Sequence, residues 1–95
     1  MSDLSEIQHE ESGSKGRWFM PLDGEQAEMT YTRSGESTII IDHTGVPNSH
    51  RGKGYGEALV EAGVAHARKQ GWKVIPLCPF AKAQIMQHPE MQDVL

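Results

Sequence analysis

Apolar and polar residues alternate with a period of two over much of the first half of the chain. This alternation predicts a hairpin made of residues 17–22 and 26–33, with a turn at residues 23–24. Residues 34–37 supply a second turn. The β-branched run that follows predicts a more buried strand from residue 38 towards residue 46. We therefore expect an antiparallel meander of about three strands.

The spacing of apolar residues changes to that of a helix over residues 55–70, and Gly71 is a suitable helix stop. Val64 falls on the more solvent-exposed side of this predicted helix, together with charged residues. The stripe that we expect to be buried consists of Tyr55, Leu59, Ala62 and His66.

Residues 72–75 predict a buried strand that completes a strand–helix–strand unit, which is expected to be parallel and right-handed. Pro79 fits the first turn of a further helix, because its missing N–H is not needed there. The order of elements is three strands, a helix, a strand and a helix. It predicts a small α+β domain with a C-terminal helix.

The length and composition of the chain predict one domain that occupies residues 16–95. Residues 1–15 are almost all polar or charged, and we expect them to form a flexible amino terminus. About eighty residues remain for a core, which is near the lower limit for independent stability. Ligand binding or dimerisation would add stability, and a monomer or a homodimer is expected.

The net charge of −4 and the absence of a basic stripe argue against a nucleic-acid partner. No apolar run has the length of a membrane span, and the amino terminus lacks the apolar core of a signal peptide, so a cytoplasmic protein without a membrane partner is expected. Cys78 is the single cysteine, which excludes an internal disulfide. The five histidines form no helical pair, and no metal site is predicted.

The segment from Arg51 to Gly56 contains three glycines between the predicted strand and the predicted helix. Glycines let several N–H groups approach one point, and the helix start adds its positive dipole end. This turn is suited to an anion such as a diphosphate, with charge supplied by Arg51 and Lys53. A P-loop is excluded because Gly54 follows Lys53, and a dinucleotide fingerprint is excluded because Glu57 stands where its third glycine is required.

The pattern that fits is Arg-x-x-Gly-x-Gly, formed by Arg51, Gly54 and Gly56 after a β-branched strand. It resembles the pyrophosphate-binding signature of GNAT-type N-acetyltransferases, which bind acetyl-CoA. The chain is similar to very short proteins of this family over roughly residues 17–95. That similarity rests further on residues 41–47, 76–80 and 88–90.

The resemblance implies a minimal GNAT-like α+β fold and acetyl transfer from acetyl-CoA to an amine that the sequence does not identify. It implies that a backbone N–H near Val46 polarises the thioester carbonyl and that amides of the turn wrap the pyrophosphate. The implied acetyl-CoA-binding residues are Val46, Arg51, Gly52, Lys53, Gly54, Tyr55 and Gly56.

The chain departs from the larger superfamily in two respects. The pair of helices between the first two strands is missing, and the second helix has no tyrosine to protonate the leaving thiolate. An acyl-CoA-binding or regulatory module without efficient catalysis is therefore the alternative function.

Cys78 and His43 are the candidate catalytic residues. Cys78 precedes a predicted helix start, where a thiolate is stabilised, and in the resembling family it is a suspected acyl acceptor. Its alternative role is that of a small buried apolar residue. His43 ends an apolar strand and could deprotonate an incoming amine. Its alternative role is to satisfy neighbouring backbone groups at a bulge.

Overall fold

The computed structural model describes residues 7–22 and 24–95. It contains one five-stranded sheet and two α-helices, α1 (Tyr55–Gln70) and α2 (Pro79–Gln87), with short 3₁₀ turns at Asn48–His50 and Pro89–Val94. The strands lie in the order β1-β2-β3-β4-β5. Their bounds are β1 (Gln8–Ser12), β2 (Lys15–Leu22), β3 (Glu25–Arg33), β4 (Thr38–Gly45) and β5 (Lys73–Pro76).

Strands β1 to β4 form an antiparallel meander, and β5 pairs with β4 in parallel. The predicted α+β class, the β-α-β unit and the C-terminal helix are therefore confirmed. No helix within the described ranges is long and apolar enough to cross a membrane. The predicted turn at residues 23–24 falls partly outside the described residues, because Asp23 is not among them.

The amino-terminal segment contains a strand that its composition did not indicate. Strand β1 pairs with β2 along its whole length, from Gln8 opposite Phe19 to Ser12 opposite Lys15. Residues 8–12 therefore form a paired strand that the sequence analysis did not predict, whereas residues 1–6 lie outside the described part of the chain. All five residues of β1 are exposed, so it lacks the apolar alternation that reveals a half-buried strand.

Helix α1 covers one face of the sheet, which we call the inner face. Alternate strand residues such as Met29 and Ile41 are fully buried beneath it. The buried stripe of α1 differs from the predicted one, since Val64 is buried and His66 is only half-buried. The reason is Gly63, where a Cβ atom would lie 2.6 Å from Met29 Cε. The helix therefore approaches the sheet along its smallest residues.

A β-bulge in β4 determines which side chains face the candidate site. Tyr31 pairs with Ile41, but its neighbour Thr30 pairs with His43, so Asp42 is an extra residue on β4. Directly opposite residues in an antiparallel pair share a face. His43 therefore lies on the outer face of the sheet with Thr30.

The next residue of β4, Thr44, pairs with Met29 and lies on the inner face. Strands β4 and β5 diverge just before this point. Their ladder ends where Ile41 pairs with Pro76, and the amides of Leu77 and Cys78 both donate to the carbonyl oxygen of Ile41, each over 3.1 Å. Beyond Ile41 the ladder no longer joins β4 to β5, and we call this unpaired stretch beside Thr44 the gap between β4 and β5.

A ring cluster closes the inner face at the amino-terminal edge of the sheet. The Tyr31 ring lies against Gly16, where a Cβ atom would collide with it. The Tyr31 hydroxyl donates to a Glu11 carboxylate oxygen over 2.8 Å and lies 2.7 Å from His9 Nε2. The His9 ring also lies 4.6 Å from the ring of His66 on α1. These contacts fasten β1 to the rest of the fold.

Candidate functional site

The glycine turn presents backbone amides at the start of α1. Gly52 and Gly54 have φ angles of +82° and +83°, a conformation in which glycine pays no steric cost. Gly54 is the N-cap of α1, and no side chain caps this helix start. The first N–H groups of an α-helix have no intrahelical acceptor, and the dipole makes this end positive. The turn therefore has the electrostatics of an anion site.

A cavity of about 400 Å³ opens directly beside this turn. Phe80 of α2 contributes one wall, and Gly56 permits it: a Cβ there would lie 2.9 Å from Phe80 Cζ. The cavity joins the turn to the end of β4. It is lined by Thr44, Val46, His50, Arg51, Gly52, Gly54, Tyr55, Gly56, Glu57 and Phe80.

Of the seven residues predicted to bind acetyl-CoA, all except Lys53 line this cavity. The Lys53 side chain is exposed. Arg51 folds back over the turn, since its Nε donates to the carbonyl oxygen of Val46 over 3.4 Å. Thr44 and Glu57 also line the cavity, although neither is among the predicted site residues. The alternation of side chains along β4 would place Thr44 on the inner face, but only if the extra residue at the bulge is taken into account.

His50 is a buried part of the cavity wall, with 8% of its surface exposed. Its Nδ1 lies 3.0 Å from the Ser49 hydroxyl, which donates to Glu25 over another 3.0 Å. Because that hydroxyl has a single proton, Nδ1 is the donor to Ser49. The His50 ring also lies beside Tyr55, with a centroid separation of 6.1 Å. These contacts brace the turn that leads into α1.

Cys78 lies next to the cavity rather than in its wall. It is 4% exposed, and its Sγ lies 3.5 Å from Thr44 Oγ1. Burial raises the pKa of the thiol. The hydrogen bond with the Thr44 hydroxyl and those from the N–H groups of Ala81, Phe80 and Thr44 outweigh that effect, and the pKa lies below its ordinary value. The Thr44 hydroxyl therefore stands where the cavity meets this thiol.

The structure does not bring the two candidate catalytic residues together on one face. His43 is exposed on the outer face, and Cys78 contacts Thr44 on the inner face. They lie on opposite sides of β4.

A second cavity, of about 490 Å³, lies along strands β1 to β4 and includes Arg17 and Asp42 in its lining. Its charged groups are already partnered. Arg17 bridges Glu10 over 3.3 Å and Glu28 over 2.8 Å, and Asp42 accepts from the Thr32 hydroxyl over 2.8 Å. The smaller cavity is therefore the better anion site. Within the described ranges, no group of three or more His, Cys, Asp or Glu side chains could hold a metal ion.

Comparison with known proteins agrees with this geometry. A sequence profile of GCN5-related N-acetyl-transferases matches residues 17–94. Protein NATD1 of Xenopus tropicalis is 24% identical over 91 residues, which are 94% of this chain and 84% of that protein.

Two solved structures are similar. The solution structure of a GCN5-like candidate N-acetyltransferase from Staphylococcus aureus superposes with a TM-score of 0.69 at 34% identity, covering 95% of this chain and 88% of that one. Ribosomal-protein-alanine N-acetyltransferase from Brucella melitensis biovar Abortus 2308 shares the fold with a TM-score of 0.64 at 21% identity. That match covers 78% of this chain and 62% of the other. The chain therefore belongs to the GCN5-related N-acetyltransferase family.

Proposed function

We propose that this chain is an acetyl-CoA-dependent N-acetyltransferase that transfers the acetyl group to an amine. The observation that carries the proposal is one continuous cavity with the uncapped start of α1 at one end and Thr44 at the other. Acetyl-CoA is an elongated molecule with a diphosphate and a distant thioester. The amides at the start of α1 would suit the diphosphate, and the end of β4 would suit the thioester.

The amides of Gly52 to Gly56 would hold the diphosphate, assisted by the helix dipole and by Arg51. The backbone N–H of Val46 would polarise the thioester carbonyl, since Val46 lines the cavity just after β4 ends. Lys53 would contribute charge from outside the cavity wall. These assignments predict that the donor lies along the inner face, with its acetyl group at the gap between β4 and β5.

Direct transfer to the amine is the route that the geometry favours over an acetyl-Cys78 intermediate. A nucleophilic sulfur must contact the thioester carbon, but Cys78 is 4% exposed and lies behind Thr44. His43 would serve as the base for an amine that approaches from the outer face, because a neutral imidazole nitrogen can accept a proton from it.

An acyl-CoA-binding module without its own chemistry is the second candidate. It is favoured by the lack of a tyrosine in α2, which would otherwise supply the leaving thiolate with a proton. The cytoplasmic location and the monomeric or homodimeric state stay predictions from the sequence.

Calorimetry with CoA and a thiol-release assay across a panel of amines test these proposals. The enzyme hypothesis predicts CoA binding that is lost in Gly54→Glu, and release of free CoA that depends on the amine. Binding without amine-dependent release would support the module. No binding by the unaltered protein would overturn both candidates.

A further inference from the structure

One residue of the cavity wall, Thr44, is hydrogen-bonded to a buried thiol outside the wall. Cys78 Sγ and Thr44 Oγ1 are 3.5 Å apart, in the geometry of a thiol that donates to a hydroxyl oxygen. Thr44 lines the cavity, whereas Cys78 is buried and is not part of its lining. A molecule in the cavity therefore meets the Thr44 hydroxyl first, with the thiol directly behind it.

The direct route leaves one chemical requirement unmet. When the amine displaces the thioester sulfur, the C–S bond breaks with its electron pair on sulfur, and this thiolate needs a proton. The other proton-bearing side chains of the wall, His50, Arg51 and Tyr55, all lie at the glycine turn or the start of α1, where Arg51 bonds to Val46 and the His50 ring lies beside Tyr55. Thr44 is the hydroxyl next to the gap between β4 and β5.

We propose that Thr44 is a catalytic residue that passes the proton of Cys78 to the leaving thiolate. In this step the Thr44 hydroxyl gives its proton to the sulfur of CoA while the Cys78 thiol gives its proton to Thr44 Oγ1. The amine nitrogen, having formed its bond to the acetyl carbon, loses one proton to His43, and a proton returns from there through water to Cys78. The sum is an amide and free CoA, with no other reactant. The inference rests on the proposed function.

The surroundings of Cys78 suit this role. The N–H groups of Ala81, Phe80 and Thr44 stabilise the thiolate that remains after the proton has moved. Burial opposes loss of the thiol proton, but the hydrogen bonds outweigh it and keep the thiol pKa below its ordinary value, which favours loss of this proton to the leaving thiolate. A nucleophilic cysteine would need the same stabilisation, but it would also need access to the thioester carbon.

The test compares Thr44→Val, Thr44→Ser, Cys78→Ala and the double variant Thr44→Val with Cys78→Ala. Thr38→Val is the matched control, because it removes a hydroxyl from the other end of the same strand. Steady-state kinetics with acetyl-CoA and an active amine would be measured as a function of pH. Thermal denaturation would verify that each variant is folded.

We expect Thr44→Val to lower kcat about 100-fold, the lower end of the range for a lost proton transfer, with little change in KM for acetyl-CoA. Thr44→Ser should retain most of the rate, and the double variant should be no slower than Thr44→Val alone. The alkaline limb of the kcat profile, where Cys78 has lost its proton, should disappear in Cys78→Ala.

A Thr44→Val protein that is folded and keeps the unaltered kcat would overturn the inference. So would an acetyl adduct on Cys78 that forms and decays at the turnover rate. Failure of the unaltered protein to release CoA with any amine would instead overturn the proposed function, and that result is obtained before any variant is compared.

Discussion

Two glycines with almost the same backbone angle allow the role of the glycine turn to be measured at a single residue. Gly54 has a φ of +83° in the site, and Gly35 has a φ of +79° in the turn between β3 and β4. A Cβ would meet nothing within 4 Å at either position. Substitution by alanine therefore adds backbone strain without a clash at both.

We predict that Gly54→Ala and Gly35→Ala each lower the free energy of unfolding by about 1–2 kcal/mol, the cost of a left-handed residue with a side chain. Only Gly54→Ala should weaken CoA binding, by at least about tenfold, because the strained backbone would displace the amides of the glycine turn. Denaturation and calorimetry measure the two effects. Equal CoA affinity in both variants would show that the turn does not hold the diphosphate.

The charge of Glu57 opposes the proposed ligand. This side chain lies in the first turn of α1, where it stabilises the helix, and it lines the cavity that would receive the diphosphate. We expect Glu57→Gln to tighten CoA binding several-fold, since the repulsion of an exposed charge is on the order of 1 kcal/mol. The gain should shrink at high salt. Weaker binding of CoA by Glu57→Gln at low salt would indicate that the phosphates lie elsewhere.

Residue types and local spacing were enough to identify the glycine turn but not the neighbours of Cys78. The turn is a contiguous motif whose glycines and helix start act locally. The partnership of Cys78 with Thr44 joins residues that are far apart in sequence, and it depends on the register of β4. The extra residue Asp42 shifts that register by one, and strand periodicity alone does not place a bulge.

At the scale of elements, apolar patterning predicted every described strand and α-helix that has buried residues. It missed β1 because polar contacts hold this strand instead of apolar burial. Arg33 bonds to Glu11 over 3.2 Å and lies 4.3 Å above the Trp72 ring, so a charged pair fixes the edge. The same pattern predicted Val64 on the exposed side of α1, whereas it is buried. The close approach of α1 to the sheet at Gly63 depends on both elements, so the helix sequence alone does not reveal it.

The contact between Gly16 and Tyr31 yields a prediction about strand packing. A methyl group at position 16 would collide with the Tyr31 ring, which is held by Glu11 and His9. We expect Gly16→Ala to lower the free energy of unfolding by about 1–3 kcal/mol, the usual cost of overpacking. Denaturant titration measures the loss. The neighbouring exposed Lys15→Ala should change stability by less than about 0.5 kcal/mol.

At the scale of the whole molecule, stability should fall on mild acidification. Burial lowers the pKa of His9 and of His66, whose rings face each other across β1 and α1 near Glu11 and Lys69. Burial outweighs the opposite effect of the Glu11 carboxylate on both rings. The unfolded chain therefore binds more protons than the folded one once the pH falls below about 6.5, the ordinary value for histidine.

We predict that Tm decreases between pH 7.5 and pH 5.5 and that the decrease is smaller in the double variant His9→Gln with His66→Gln. His43→Gln is the control for loss of an exposed imidazole. The pKa of Glu11 is also below its ordinary value, because hydrogen bonds from Tyr31 and Arg33 outweigh burial. The contribution of Glu11 to the stability of the fold is lost only at lower pH, below about 4.3. An identical pH dependence in the double variant would contradict this account.

Pro76 has a consequence for how copies of the protein could associate. It is one of four residues in β5, at the free margin of the sheet, and proline offers no amide hydrogen to an incoming strand. The addition of a strand from a second copy of the protein to this edge of the sheet is therefore disfavoured. Any homodimer of this fold should instead be built from side-chain contacts, and its interface should tolerate changes to β5 better than changes to exposed apolar groups such as Met86.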